Sequence, residues 1–283
     1  MKKSEKSSKQ IPDQTPRERM MGDVPDDLWV KCTGCARMIY TKELEQNLKV
    51  CSHCNCHMRL TADERIAYTV DEDSFVERDA NLVTLDPLSF PNYQADLERY
   101  RKATGRKDSF VWGDATIGER PIVLGVSEFG FIGGSMGSVM GEKIARAAEE
   151  AARTRHPLIL ISSGGGARMH EGIVSLMQMA KTTAAVTKLG ETGVPFISVF
   201  ADPMTAGIAA SFAFMADIII AEPEAIIGFA GPRVVEQAYR IKLPPDSMTS
   251  EFNLKHGMLD MVVPRKEMRP TLIRWMQIIK PSI

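Results

Sequence analysis

The sequence predicts an α/β layered domain preceded by a small metal-binding domain. Four of the five cysteines fall between positions 32 and 54 in two Cys-x-x-Cys pairs, which is a spacing typical of metal sites. From residue 121 onward, short apolar runs alternate with segments of helical periodicity, the pattern of an α/β domain. No apolar run approaches the roughly 18 residues of a membrane-spanning helix. With 35 basic and 36 acidic residues, the charge balance excludes a dedicated polyanion binder.

Residues 1–26 are predicted to form a flexible tail because they are polar and lack hydrophobic periodicity. The chain starts with charged residues and serines that no apolar stretch follows, so this start does not resemble a secretory signal. We therefore expect a cytoplasmic protein.

Residues 27–60 are predicted to form a four-cysteine zinc ribbon. Each Cys-x-x-Cys pair makes a turn that directs two thiolates at one ion, and the two turns together complete a tetrahedron. Because protein ligands fill all four positions, one structural Zn²⁺ is expected, with no open position for substrate. Cys56, His53 and His57 remain alternative ligands. The predicted ligands are Cys32, Cys35, Cys51 and Cys54.

Residues 61–283 are predicted to form the α/β domain. Thr61 and Glu64 have the spacing of a capping box, which predicts a helix start. The apolar patterns predict strands at 121–126, 158–161, 194–200, 217–221, 225–229 and 259–263, and helices at 94–102, 141–154, 172–189 and 206–215. A helix start is expected at Pro232 and a helix end at Gly257. The rest of segment 81–120 shows no clear pattern.

Two segments place small residues between a buried strand and a helix, at 162–168 and 201–208. Such turns present free backbone N–H groups, which can bind an oxyanion. Ordinary packing turns are the alternative, since glycine serves both purposes. Neither segment has the Gly-Lys-Ser/Thr of a phosphate loop. A third glycine-rich segment, 133–143, also lacks that motif and is expected to pack or to line the substrate site.

The second turn has no obvious acid or base. Between Pro203 and Ala216 the sequence contains no Asp, Glu, His, Lys or Cys, and Asp202 is expected to shape the turn. His170 is expected to be an exposed residue at a helix start. The methionines at 169, 177 and 179 are expected to pack in the core.

Several long motifs occur in the order of a known family. They are the cysteine ribbon, Gly-Ser-Met-Gly-Ser-Val at 134–139, Gly-Gly-Ala-Arg-Met at 165–169, Ser-Leu-Met-Gln-Met-Ala-Lys-Thr at 175–182 and Ile-Gly-Phe-Ala-Gly-Pro-Arg at 227–233. From about residue 27 onward, the chain closely resembles the carboxyltransferase β subunit of bacterial acetyl-CoA carboxylase.

The resemblance implies a crotonase-like ββα spiral over 61–283. It also implies transfer of a carboxyl group from carboxybiotin, held on a carrier protein, to acetyl-CoA, which gives malonyl-CoA for fatty acid biosynthesis. The implied partners are a carboxyltransferase α subunit, in an α2β2 assembly, together with the biotin carboxyl carrier protein and biotin carboxylase. No membrane partner is expected.

The resemblance also assigns site residues. Ala206 and Gly207 would be backbone oxyanion donors. Arg168 would lie on the coenzyme A side, with a structural ion pair as the alternative. The family usually has glycine at position 206 and serine at position 164, and an alanine N–H still donates unless the turn requires positive φ. The residues expected to bind substrate are Gly165, Gly166, Ala167, Arg168 and Arg233.

Four other functions stay open on the sequence alone. They are a related acyl-CoA carboxyltransferase or decarboxylase subunit, a hydratase or isomerase, a specialised paralogue, and secondary nucleic-acid binding by the ribbon. The ribbon carries Lys31, Arg37, Lys42, Lys49 and Arg59, although nearby acidic residues dilute that charge.

Overall fold

The computed structural model describes residues 28–244 and 246–279, so the predicted tail at 1–26 lies outside the described residues. The ribbon comes first. Strands β1 (Trp29–Lys31) and β2 (Met38–Tyr40) pair antiparallel, and helix α1 (Thr41–Gln46) follows. The buried core of the ribbon consists of Cys32, Ile39, Leu44 and Cys51. This core is too small to hold a fold without a further cross-link.

An eight-stranded sheet organises the second part of the chain. Its strands are β3 (Val76–Arg78), β4 (Phe110–Ile117), β5 (Arg120–Ser127), β6 (Leu158–Gly164), β7 (Phe196–Thr205), β8 (Ile218–Ala221), β9 (Ile227–Gly228) and β10 (Met261–Val262). The order is β10-β8-β7-β6-β5-β4-β3, and β9 pairs with β7. The pairs from β5 to β10 are parallel, whereas β3, β4 and β5 pair antiparallel.

Helices cover both faces of the sheet. They are α2 (Ala62–Thr69), α3 (Tyr93–Thr104), α4 (Ser138–Thr154), α5 (Gly172–Glu191), α6 (Ala206–Ala209), α7 (Pro232–Tyr239), α8 (Ser250–Lys255) and α9 (Arg265–Ile278). One apolar core lies under α4 and α5, and a second lies under α2 and α9. The predicted layered α/β domain is confirmed. Within the described ranges, no helix is both long enough and apolar enough to span a bilayer.

Most of the predicted elements are confirmed. The capping box forms, because the Glu64 N–H donates to the Thr61 hydroxyl at 3.2 Å and the Thr61 N–H donates to the Glu64 carboxylate at 2.9 Å. The helix predicted over 206–215 is interrupted, because the α-helix ends at Ala209 and a 3-10 helix occupies Ala213–Met215. Between these two helices, the Ser211 hydroxyl donates to the Gly207 carbonyl at 2.6 Å, a local bond that competes with regular helix.

Two predictions about single side chains are also wrong. Met169 is 81% exposed and Met177 is 55% exposed, so neither packs in the core, while Met179 is partly buried there. His170 is half-buried and stacks on the Tyr93 ring, with 4.7 Å between ring centroids.

Candidate functional site

The two glycine turns predicted from the sequence lie side by side. Both predicted turns begin later than expected, because β6 runs to Gly164 and β7 runs to Thr205. The two strands are parallel neighbours whose last pair is Gly164 with Met204. In open α/β sheets, ligands bind beyond the carboxyl ends of the strands. The structure therefore brings both turns to the edge where a ligand is expected.

The turns meet through Gly166 and Gly207. A Cβ placed on Gly166 would lie 2.6 Å from the Ala206 Cβ and 3.2 Å from the Gly207 nitrogen. A Cβ placed on Gly207 would lie 3.5 Å from the Ala167 nitrogen. Side chains at either glycine would therefore fill the space between the turns.

Two backbone N–H groups of the first turn lack partners. Among the described residues, neither the Gly166 N–H nor the Ala167 N–H donates a hydrogen bond to the protein. The donor roles of Ala206 and Gly207 stay predictions. The Gly165 N–H differs, because it donates to the Gly133 carbonyl at 3.2 Å. Preorganised donors of this kind stabilise negative charge that develops on a substrate oxygen.

Ala206 has a φ of 54°, in the left-handed region that favours glycine. For an alanine this conformation costs about 1–2 kcal/mol. The turn therefore does require positive φ, the condition under which alanine is unfavourable.

Close backbone contact explains Gly164. A Cβ at this position would lie 2.4 Å from the Gly134 carbonyl oxygen and 2.6 Å from the Ile208 side chain, so a serine does not fit here. Position 134 also requires glycine, since a Cβ there would lie 2.4 Å from the Ser163 carbonyl oxygen. The third glycine-rich segment therefore packs against the first turn.

Arg168 does not point toward a substrate surface. Its side chain is fully buried and makes a two-point ion pair with Asp108, at 2.8 and 2.9 Å. The remaining guanidinium N–H groups bond to Tyr93, Ser109 and Ser135. All five donors of the group are thus used inside the protein. This geometry corrects the expectation of a phosphate contact and matches the alternative, a structural ion pair.

Arg233 has the opposite environment. It is exposed near the start of α7, a helix with no buried residues. Within the described part of the chain, its side chain makes no ion pair or hydrogen bond. Its assignment to substrate binding stays a prediction.

Asp202 lies inside β7 rather than in the second turn, and its carboxylate accepts the Ile226 N–H at 3.0 Å. It thereby ties the end of β7 to the approach to β9. The turn itself contains no ionisable side chain from Pro203 to Ala216. The arrangement can hold an oxyanion but offers no general base from this segment.

The four predicted ligand sulfurs form one cluster. The Sγ atoms of Cys32, Cys35, Cys51 and Cys54 all lie within 4.8 Å of one another. Cys32 and Cys54 are 3.6 Å apart, and Cys35 and Cys51 are 3.8 Å apart. Tetrahedral zinc with bonds of about 2.3 Å requires sulfurs about 3.8 Å apart. The donor set fits Zn²⁺.

The backbone around Cys32 favours the thiolate form of this one ligand. Burial acts to raise the pKa of the Cys32 thiol, but N–H groups of Cys35 and Gly34 oppose it, and the pKa falls to about 6. The alternative ligands are placed differently. Cys56 lies outside the cluster of four, and the His57 Nε2 accepts the Arg265 N–H at 3.1 Å.

A buried carboxylate fastens the ribbon to the α/β domain. Glu222 lies between Arg65 and Arg265, and both of its oxygens bond to Arg265 at 2.8 Å. The same Arg265 guanidinium donates to the ribbon carbonyls of Leu48, at 2.9 Å, and Met58, at 2.8 Å. The two arginines hold the pKa of Glu222 far below its usual range against the effect of burial.

Sequence reasoning missed the carboxylates of both buried networks. Asp108 is 60 residues from Arg168, and Glu222 is 43 residues from Arg265. No local spacing signals such pairs. Glu171, which follows Arg168 by three positions, has the spacing of a helical ion pair and was the one partner with a local signal.

The basic face of the ribbon is partly occupied. Lys49 pairs with Glu64, and the Arg59 guanidinium lies 3.9 Å from the centroid of the Phe129 ring. Two of the ribbon cations are therefore engaged by the α/β domain.

Comparison with known families accounts for most of the chain. Residues 57–248 match the carboxyl transferase domain, and residues 29–54 match the acetyl-CoA carboxylase zinc finger domain. The acetyl-coenzyme A carboxylase carboxyl transferase subunit beta of Desulforamulus reducens is 56% identical over 250 residues, which cover 88% of this chain and 87% of that protein. The same subunit of Pelotomaculum thermopropionicum is 52% identical over 256 residues, 90% of each chain.

Solved structures agree with this assignment. A transcarboxylase 12S structure with methylmalonyl-coenzyme A bound matches with a TM-score of 0.70 and 26% identity, over 79% of this chain and 42% of that one. This chain thus spans less than half of the transcarboxylase chain. A Pseudomonas malonate decarboxylase heterodimer matches with a TM-score of 0.60 and 25% identity, over 79% of this chain and 88% of that one.

The cysteine cluster, the layered domain with its paired glycine turns and these matches agree with one another. The fold is the crotonase-like fold of carboxyl transferases with an amino-terminal zinc ribbon. The chain belongs to the family of acetyl-CoA carboxylase carboxyl transferase β subunits.

Proposed function

We propose that this chain, together with an α subunit, transfers a carboxyl group from carboxybiotin to acetyl-CoA and so forms malonyl-CoA. The observation that carries the proposal is the pair of unpartnered N–H groups at Gly166 and Ala167 on the first turn, beside a second turn that has no ionisable side chain. Such a site stabilises charge on oxygen and leaves proton transfer to a group outside the turn.

Carboxybiotin, when bound, supplies both the carboxyl group and a ureido nitrogen that takes the methyl proton. The chain's own contribution is electrostatic. The N–H groups of Ala206 and Gly207 donate to one oxyanion, and those of Gly166 and Ala167 line the same space. Loss of one such donor typically lowers the rate about 100-fold to 1000-fold.

Exposed apolar side chains support the need for a partner. The first half of α5 and the turn before it expose Met169, Ile173, Leu176 and Met177, and the α7 region exposes Phe229, Val234, Tyr239 and Ile241. Clusters of this kind mark interaction surfaces. We assign them to the α subunit of an α2β2 assembly in the cytoplasm, with biotin carried by a carrier protein that biotin carboxylase loads.

The other functions have weaker support. The malonate decarboxylase match is 25% identical, compared with 56% for a carboxyl transferase subunit. A hydratase would need a carboxylate aimed at the substrate, and Asp202 is bonded to Ile226 instead. For nucleic-acid binding, Lys49 and Arg59 are turned toward the α/β domain.

The test is the reverse half-reaction, decarboxylation of malonyl-CoA in the presence of free biocytin. It is measured with this chain alone, with the α subunit alone and with the mixture. Activity in the mixture only is the expected result. A stable, zinc-loaded complex without activity on malonyl-CoA would overturn the proposal and favour a specialised paralogue.

A further inference from the structure

We propose that Arg168, Asp108 and Glu171 form a positioning network that holds the N–H groups of Gly166 and Ala167 in their productive orientation. This inference rests on the proposed function, because it assigns those N–H groups to the oxyanion site. The network touches no substrate and acts through the first glycine turn. It thus gives Arg168 a role other than phosphate binding.

The turn is fixed from its backbone side by a single residue. The Met136 N–H donates to the Gly166 carbonyl at 2.8 Å, and the Arg168 N–H donates to the Met136 carbonyl at 2.9 Å. These two bonds flank Ala167 on both sides. The orientation of the Ala167 N–H therefore depends on where Met136 and Arg168 are held.

The Arg168 side chain holds both of these anchors. Its guanidinium makes the two-point ion pair with Asp108 and donates to the Ser135 carbonyl at 2.9 Å, next to Met136 in the chain. The side chains of Arg168 and Asp108 are both 0% exposed. A two-point pair fixes direction as well as distance. The guanidinium therefore sets the positions of both chain segments that hold the turn, at Met136 and at Arg168.

Glu171 connects this pair to two helices. One carboxylate oxygen accepts the Tyr93 hydroxyl of α3 at 2.8 Å, and the other accepts the Ser138 N–H at the start of α4 at 2.6 Å. Gly137 makes room for the network, since a Cβ there would lie 2.8 Å from Glu171 and 2.9 Å from Arg168. The turn is thereby tied to rigid elements, as precise donor placement requires.

The electrostatics agree with the geometry. Burial acts to raise the pKa of Asp108, but the charge and hydrogen bonds of Arg168 and the N–H of Ser109 keep that pKa below its usual value. Asp108 is therefore a carboxylate at neutral pH. An asparagine at 108 keeps the size of the side chain but loses the charge and one acceptor.

Two variants of different severity test the network in the full chain mixed with its α subunit. Asp108→Asn removes the charge of the central pair. Tyr93→Phe removes only the hydroxyl, which donates to Glu171 and accepts from Arg168 at 3.2 Å, and it keeps the buried ring. The matched control is Glu222→Gln, which neutralises an equally buried carboxylate in the ribbon junction.

Kinetics and amide exchange are measured together. Asp108→Asn is expected to lower kcat about 10-fold to 100-fold, below the loss of a whole donor. Tyr93→Phe is expected to lower kcat about 3-fold to 10-fold, and KM for malonyl-CoA should change less than kcat in both variants, since positioning acts on the transition state. Hydrogen exchange should rise in both variants at the amides of Met136, Gly165 and Arg168, whose hydrogen bonds hold the turn, and stay unchanged there in Glu222→Gln.

Three results would overturn the proposal. A higher KM with unchanged kcat would make Arg168 a substrate-binding group. Unchanged exchange at the amides of Met136, Gly165 and Arg168 in both variants would show that the turn does not depend on the network. Equal loss of kcat in the Glu222→Gln control would indicate general destabilisation. An inactive wild-type mixture would instead count against the proposed function, and the exchange measurement would still decide on the network.

Discussion

The chain contains two buried ion networks with opposite compositions. At the ribbon junction, one carboxylate, Glu222, lies between two arginines. Behind the first glycine turn, one arginine, Arg168, lies between the carboxylates of Asp108 and Glu171. The first joins two parts of the chain that have separate cores, and the second joins segments of a single domain. Buried charge thus serves assembly in one place and backbone placement in the other.

Zinc removal should give the largest difference in hydrogen exchange between the regions of the two networks. Structural zinc supplies about 10–16 kcal/mol of binding free energy in small fingers, and the ribbon core has little else to replace it. With a chelator, we expect hydrogen exchange to become complete over 29–58 while residues 158–168 stay protected. Loss of protection in both regions would contradict the view that the networks are independent.

Neutralising Glu222 should give the next largest effect. Glu222→Gln leaves Arg65 and Arg265 buried without their carboxylate, which typically costs about 3–5 kcal/mol. We expect a matching decrease in the free energy of unfolding in urea. The exposed neighbour Glu224 provides the control, since Glu224→Gln should stay within about 0.5 kcal/mol. Equal effects of the two substitutions would show that the junction does not depend on its charge.

Acid should weaken the ribbon junction before the turn. Burial lowers the pKa of His57, with Arg265 and Arg65 also lowering it and Glu222 opposing them. A group whose pKa is lower when folded stabilises the fold above its unfolded value, near 6.5, and loses that contribution as pH falls. We therefore expect exchange over 48–58 to rise between pH 7 and pH 5.

The turn behaves differently. The pKa of Asp108 lies below the ordinary aspartate value of 3.8, so the stability that this carboxylate contributes is lost only below that pH. The bonded amides of Met136, Gly165 and Arg168 should thus keep their protection down to pH 5. Substitution His57→Gln should remove the change at 48–58, since glutamine does not titrate. Exchange that rises at both networks over the same pH interval would contradict this order.

Relief of strain at Ala206 should give the smallest effect. Ala206→Gly removes about 1–2 kcal/mol of left-handed strain and adds about 0.4–1 kcal/mol of unfolded-chain entropy. A net stabilisation of about 0.5–1 kcal/mol is expected in urea unfolding. Ala210, whose φ is −74°, gives the control, because Ala210→Gly should destabilise. A destabilised Ala206→Gly protein would show that the methyl group packs usefully between the turns.

The sequence predicted what depends on local chemistry. Ligand spacing predicted the ribbon, and the capping box at Thr61 predicted the start of α2. Strand β4 was missed because Gly113 interrupts its apolar pattern, although a Cβ there would lie 2.1 Å from the Val76 carbonyl oxygen. Helix α9 was missed because it contains Pro270, a residue that usually ends helices.

The site was predicted only in part for a similar reason. Both glycine turns were found from their composition, but their contact depends on strand order, which brings β6 beside β7. The role of Arg168 depends on Asp108, and the strain at Ala206 depends on a backbone angle. None of these is encoded in a short window of sequence.

The Arg265 bonds to the ribbon have a consequence for synthesis of the chain on the ribosome. Arg265 donates to the Leu48 carbonyl, 217 positions earlier. At about 5–20 residues per second, the ribbon is made about 10–40 seconds before its anchor. During that interval zinc alone must keep the nascent ribbon ordered. In a cell short of zinc, the ribbon segment of each nascent chain would then remain unfolded and undocked, and its cysteines would be accessible to chaperones.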